Sequence, residues 1–218
     1  MEVILIGNTW ASERTCALAA AACTGSVNAE KSLDGALASG HESVLEHAQF
    51  TFEVNDVSRV LLAQLTRHRL ASYSVESQRY VKGHRQVVMP HSVFENKRLR
   101  DKFWKIQAET HEFYDECLAE GIEAEDARYA LMQGTTTRLV FSMNARELRH
   151  FLSLRQCNRA QWEIRELADR MAELLKQAAP TLFKDAGPGC VRGHCPEKKM
   201  CCKNPRMDLM TGGKKHHE

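Results

Sequence analysis

The chain has 218 residues, 43% of them hydrophobic and 27% charged, the make-up of one sizeable globular core with or without a tail. No run approaches the ~18–20 apolar residues of a membrane span, and the opening MEVILIGNTW carries an acid where a signal peptide carries basic residues, so no membrane partner and a cytoplasmic location are expected. The formal charge is only +2, yet between positions 59 and 85 six basic residues (Arg59, Arg67, Arg69, Arg79, Lys82 and Arg85) stand against the single acid Glu76.

In chain order, Val-Ile-Leu-Ile at 3–6 reads as a strand, and an Ala-rich stretch over about 9–23 reads as a helix ending before Gly25. A second helix near 29–39 should stop at Gly40. Ser43 and Glu46 have capping-box spacing for a short helical turn, after which Phe50, Phe52 and Val54 alternate with Thr51 and Glu53 as a strand. Asn55-Asp56 should then turn the chain, with Asp56 capping a helix whose stripe is Val57, Val60, Leu61 and Leu65. That places Gln64 at the edge of the stripe and the basic cluster where the helix runs out. Phe103, Ile106, Thr110, Phe113 and Cys117 mark a long helix closed by Gly121, with a shorter one over about 123–132. Residues 135–143 are rich in β-formers. Asn144 and Asn158 each precede a Glu or Gln by three residues and so announce two helix starts, the second helix running to Pro180. Helices and strands mix without a βαβ rhythm, which indicates an α+β fold with a mixed sheet packed against long helices.

Four of the five prolines and half of the eight cysteines lie at or after residue 180. The composition therefore divides the chain into a body, 1–183, and a Cys-rich tail, 184–218. In the tail, Cys190, Cys195, Cys201 and Cys202, with His194, supply soft ligands but lack C-x2-C knuckles. A zinc or iron–sulfur site and plain thiols both remain open; no metal is assigned. Cys157, a lone cysteine in the body, reads as a small buried hydrophobe. The final GGKKHHE is flexible in composition.

The densest chemistry is Arg67-His68-Arg69-Leu-Ala-Ser72-Tyr-Ser74-Val-Glu76-Ser77-Gln78-Arg79-Tyr80. Arginine supplies planar, bidentate charge and serine short-range donors, so the segment is suited to phosphate or carboxylate; a solvated basic loop is the plain alternative. The RHR, seven further residues, Ser77 and then Arg79-Tyr80 resemble the signature of the flavin-dependent thymidylate synthases, the ThyX family. His41 to His47 with the Phe50-Thr51-Phe52 strand, Asn144-Ala145-Arg146, and Leu154-Arg155 followed by Ala160-Gln161-Trp162-Glu163-Ile164 resemble further blocks of that family. Ser74-Val75 and Arg159 depart from many of its members.

The resemblance implies a ThyX-type fold and the methylation of dUMP to dTMP, with methylenetetrahydrofolate as carbon donor, FAD as redox carrier and NADPH as reductant. Carried over by position, Ser43, Glu46, Arg67, His68, Arg69, Asn144, Arg146 and His150 would line FAD. Gln64, Arg67, Ser77, Gln78, Arg79, Arg128 and Arg155 would hold dUMP, with Arg155 the catalytic group. It also implies a homotetramer with active sites shared between subunits. The residues agree with anionic ligands, and no Rossmann fingerprint is present, because the sole G-x-G is Gly187-Pro-Gly189 in the tail. Ser77 lacks an evident base and orienting group, so it reads as a ligand donor and not a nucleophile. His41 and His47 are open between capping or core roles and flavin contact. The rival from another class is a basic nucleic-acid-binding module with a C-terminal zinc element, whose binding would fall steeply with salt.

Overall fold

The computed structural model describes residues 1–83, 86–193 and 195–209. Arg85, His194 and the GGKKHHE stretch, used above, lie outside them. Strand β1 (Glu2–Asn8) opens the chain and is followed by α1 (Ser12–Thr24) and α2 (Ala29–Ala38). Gly25, at φ 65°, closes α1, and the Asn28 side chain accepts from the Lys31 amide to cap α2. A 3-10 turn over Glu42–His47 leads to β2 (Gln49–Ser58), α3 (Arg59–Leu65) and β3 (Ala71–Val75). Then come α4 (His91–Phe94), α5 (Lys97–Ala119), α6 (Ala124–Ala127) and β4 (Thr136–Asn144). The chain ends in α7 (Ala145–Arg155), α8 (Trp162–Ala178), α9 (Pro180–Phe183) and single 3-10 turns.

The four strands form one sheet in the order β1-β2-β4-β3. Its register is antiparallel: Thr9 bonds to Gln49 and Asn55 to Glu2, Thr51 meets Ser142 while Arg59 meets Thr135, and Glu76 bonds to Arg138. The α+β class holds, and the mixed sheet expected from the sequence is an antiparallel one. Helices intervene between strands here as excursions, not as parallel crossovers.

Contact density divides the chain into two units, the first of residues 1–2, 54–67 and 73–140, the second of residues 3–53, 68–72 and 141–218. Each of the four strands has residues in both units. This division does not follow the compositional step at 183/184. In the second unit Phe50 meets Phe183 edge-on at 5.4 Å and Phe52 stacks on Phe141 at 5.6 Å. Leu148, Leu152, Ile164, Leu167, Met171 and Leu175, at helical spacing on α7 and α8, are fully buried. The first unit keeps a smaller cluster of Tyr114, Cys117 and Ala127, with Leu118 and Leu131 against it. Gly134 is required there, since a Cβ would lie 2.8 Å from both Val87 Cγ1 and the Val88 carbonyl oxygen.

Several local expectations are corrected. Asn55-Asp56 does not turn the chain: β2 continues to Ser58, with Asp56 at φ 57°, a conformation Asp tolerates within a strand under sheet pairing. Ser58, not Asp56, caps α3 by accepting from the Leu61 amide. Ser43 makes no capping bond; it lies inside the 3-10 turn and is exposed. Gln161 replaces Asn158 as the cap of α8, accepting from the Glu163 and Ile164 amides. The expected helix over 123–132 is one turn of α6 plus a 3-10 turn over Arg128–Ala130.

Candidate active site

In the second unit, α7 starts where β4 stops. Asn144 makes that junction by accepting from the Glu147 amide at 2.9 Å. One turn in, the Glu147 carboxylate does not close a capping box; it meets His68 Nδ1 at 2.9 Å, and both side chains are buried. At the far end of the helix Arg155 Nε donates to His68 Nε2 at 3.1 Å. A guanidinium can only donate, so Nε2 must carry a lone pair and the proton sits on Nδ1, directed to Glu147. His68 is therefore a neutral imidazole of defined tautomer. Its pKa lies below the ordinary 6.5: burial lowers it and the nearby Arg155 charge adds to that, against the Glu147 hydrogen bond, which raises it. Phe151 and His150 pack edge-on against the ring at 5.0 and 5.9 Å. The result is a fixed chain, Glu147–His68–Arg155, that sets the orientation of one guanidinium.

Around this chain stand Arg69 and His150, exposed, and the exposed ion pair of Arg146 with Glu46 at 2.5 Å. Arg149, on the opposite side of α7, is buried and donates to Glu42, Asp185 and the Leu182 carbonyl. It ties the helix to the 3-10 turn and to the segment after α9.

The first unit holds a different kind of cluster. Ser77 Oγ accepts from the Arg79 amide at 3.2 Å, and the Ser77 carbonyl accepts from Val81, closing a turn directly after β3. Arg79 Nε pairs with Glu125 at 2.5 Å, and Arg128 Nε donates to the Glu125 carbonyl at 3.1 Å, so α6 gathers two of the expected substrate arginines. Arg59 donates to the Glu76 carbonyl, but its buried Nε has no hydrogen-bond partner among the described residues. Burial pulls the Arg59 guanidinium down from its ordinary value and Arg128 adds repulsion, with Glu76 opposing. Gln64 donates to the Val60 carbonyl, and Arg67 is exposed just past α3. Gln78 lies within the same turn, half-buried.

Sequence reasoning thus missed Glu147, Arg59 and Glu125. Glu147 was visible only as a capping residue; Arg59 and Glu125 carried no signal apart from charge. The structure joins Arg155 to His68, Arg146 to Glu46, and Arg79 to Arg128 through Glu125. Among the described residues no three His, Cys, Asp or Glu side chains are grouped to hold a metal ion, and all eight cysteines are free. No helix among them is long and apolar enough to cross a membrane.

A model of the thymidylate synthase complementing protein family matches residues 4–181. The flavin-dependent thymidylate synthase of Geobacter sulfurreducens is 44% identical over 218 residues, spanning 93% of this chain and 94% of that protein. That of Pyrococcus furiosus is 42% identical over 191 residues, spanning 81% and 78%. Among solved structures, ThyX from Helicobacter pylori complexed with FAD and dUMP superposes with a TM-score of 0.69 at 28% identity, covering 86% of this chain and all of that one. With the family model matching residues 4–181 and a relative 44% identical over 93% of the chain, the chain belongs to the family of flavin-dependent thymidylate synthases.

Proposed function

We propose that the protein converts dUMP to dTMP, taking the carbon from methylenetetrahydrofolate and the reducing equivalents from NADPH through FAD. The observation that carries this reading is the Arg155 guanidinium, held by a neutral, buried His68 backed by Glu147. A side chain of this length is otherwise free to rotate; here its charge is preorganised, as stabilisation of a developing anion requires.

The residues present fit a dinucleotide carrying a pyrophosphate. In the second unit the Arg69 and Arg146 guanidiniums and His150 are exposed, Arg146 in the first turn of α7 and His150 midway along it, and Asn144 orders the α7 terminus; in the first unit Arg67 is exposed just past α3. Ser43 and Glu46 line the same second unit from the 3-10 turn, with Glu46 holding Arg146. His68 acts from behind them, through Arg155. When bound, FAD supplies reversible two-electron chemistry between NADPH and substrate. Gln64, Arg67, Ser77, Gln78, Arg79 and Arg128 bind dUMP, arginines on the phosphate and amide or hydroxyl groups on the nucleoside. The excess of arginine over Glu125 and the unpartnered Arg59 Nε favour an anion there.

Adding hydride at C6 of the pyrimidine moves negative charge onto the C4 carbonyl oxygen. Arg155 stabilises that charge without exchanging a proton, because a guanidinium stays protonated throughout. Ser77, its hydroxyl already accepting from the Arg79 amide, positions ligand and forms no covalent bond. The working molecule is a cytoplasmic homotetramer whose sites combine residues of several subunits, and residues 1–183 form its catalytic domain with 184–218 as an accessory segment. The nucleic-acid reading draws no support from the family match.

A visible absorption spectrum of the purified protein tests the flavin assignment. The expected result is a yellow protein, or one that becomes so on adding FAD. A colourless protein that refuses FAD, or one that forms no dTMP from dUMP, methylenetetrahydrofolate and NADPH, would overturn the proposal.

A further inference from the structure

Arg155 is aimed by two things, the His68 ring that its head touches and the helix end from which its side chain departs. The second is inherently weak, because the last carbonyls of a helix have no partner within it. Arg155 is the last residue of α7, and at three of the next four positions the chain is tied to the C-terminal segment. The Gln156 carbonyl accepts from Arg206 Nη1 at 2.7 Å, Asn158 Nδ2 donates to the Asn204 carbonyl at 2.8 Å, and Arg159 Nη1 donates to the Met200 carbonyl. The same segment walls a cavity of about 560 Å³ that Arg155 also lines, with Pro188, Cys190 and Lys203 on the tail side.

The anchor at Gln156 differs from the other two. The Gln156 side chain is buried, and its Nε2 donates to Asp169 Oδ1 of α8 at 3.0 Å, while the second oxygen of that carboxylate accepts from Arg206 Nη2 at 3.1 Å. Asp208 accepts from Arg206 Nε at 3.0 Å and from Nη2 at 2.7 Å. The Arg206 side chain is mostly buried, whereas the Asn158 and Arg159 bonds are exposed. One guanidinium therefore joins α7, α8 and the tail at the residue next to Arg155. Its bonds are charge-assisted, and its cation sits at a helix C-terminus, where the helix dipole favours it.

We propose that Arg206 is a positioning residue for Arg155: by holding the Gln156 backbone against Asp169 it fixes the helix end that carries the catalytic guanidinium, which makes the C-terminal segment part of the catalytic apparatus. This rests on the role given to Arg155 under the proposed function. Arg206 acts through the helix end and touches no reacting atom. The His68 brace directs the head of Arg155, but a braced head does not compensate for a root that moves. A displacement of about 1 Å at a catalytic group can cost about a hundredfold in rate.

The test measures single-turnover dTMP formation on reduced, FAD-replete, full-length protein for Arg206→Ala, Arg155→Ala and the double variant, each over a range of dUMP concentrations. Arg206→Ala should lower the rate at saturating dUMP by at least about tenfold. The dUMP concentration giving half the maximal rate should change by less than about twofold, as for an interaction expressed in the transition state and not in ground-state binding. The double variant decides whether the effect runs through Arg155: removing Arg206 from the Arg155→Ala protein should cost no more than about a further twofold. Arg206→Lys keeps the charge but does not span the Gln156 carbonyl and both carboxylates together, so it should fall between wild type and Arg206→Ala; it is read in both backgrounds if Arg206→Ala fails to fold. A wild-type rate in the variant read, or its full loss repeated in the Arg155→Ala background, would overturn the positioning role and leave the proposed function standing. Wild-type protein that forms no dTMP would overturn the proposed function, and this role with it.

Discussion

The two units present arginine in opposite ways. In the second, Arg155 is braced by a buried imidazole and a buried carboxylate, so its direction is decided before any ligand arrives. In the first, Arg79 pairs with Glu125 while the two side chains are 55% and 47% exposed, and Arg128 leans on the same short helix. A braced guanidinium can stabilise charge that develops during reaction, whereas an exposed one exchanges its carboxylate partner for a phosphate at small cost. On the proposed function, orientation is fixed where the chemistry is assigned, and exchangeability where the substrate is to come and go.

This contrast can be broken by substitution. Arg155→Ala should lower turnover by ~2.7–4 kcal/mol, the loss of one preorganised donor, with flavin content retained; single-turnover dTMP formation on reduced, dUMP-saturated enzyme measures it, and full activity would end the argument. Ser77→Ala in the same assay should retain dTMP formation at raised dUMP. Glu147→Ala leaves the His68 Nδ1–H buried without its acceptor and should cost about 1–3 kcal/mol of stability, read as a lower urea midpoint at unchanged slope. If that midpoint does not move, the brace is not structural.

Arg79→Lys sharpens the other half of the comparison. Stability should change by less than about 1 kcal/mol, as for exposed ion pairs. The dUMP KM should nevertheless rise roughly tenfold, since a point charge replaces a planar fork. A matching loss of stability would mean that the two clusters are built alike.

The smallest effect is a pH dependence. His68 has a folded-state pKa below its ordinary 6.5, so above that value it is neutral in both states and its contribution is fully present. As pH falls from 6.5 through the lowered folded value, the unfolded chain binds the proton first and stability is lost, at no more than about 1.4 kcal/mol per pH unit. His68→Gln can still donate to Glu147 and accept from Arg155, and should remove this one-proton slope from urea titrations taken across that window. An unchanged slope would place the titration elsewhere.

Much of the second unit was legible in the sequence because its signals are local. Asn144 heads α7, and Ile164, Leu167, Met171 and Leu175 trace the buried face of α8. Strand β3 was not: charge dominates the reading of 67–80, although Ala71, Tyr73 and Val75 alternate with the more exposed Ser72 and Ser74. Asn55-Asp56 misled because pairing with β1 and β4 outweighs a local turn preference. Asn158 resembled a cap, yet its amide donates to the Asn204 carbonyl, 46 positions away. The Glu147–His68 bond joins residues 79 apart. No spacing rule reaches across such intervals, so the brace on Arg155 emerges only once the chain has folded.

The tail is fastened at its far side. Arg206 donates to the Gln156 carbonyl and to Asp169, Asn158 to Asn204, and Arg159 to the Met200 carbonyl, while Lys198 and Lys199 before these anchors are exposed. A protease cutting after either lysine would therefore sever the polypeptide without freeing its end. The nicked molecule should run as two pieces on a denaturing gel and as one species in native separation, so that apparent intactness in solution is no guarantee of an unbroken chain.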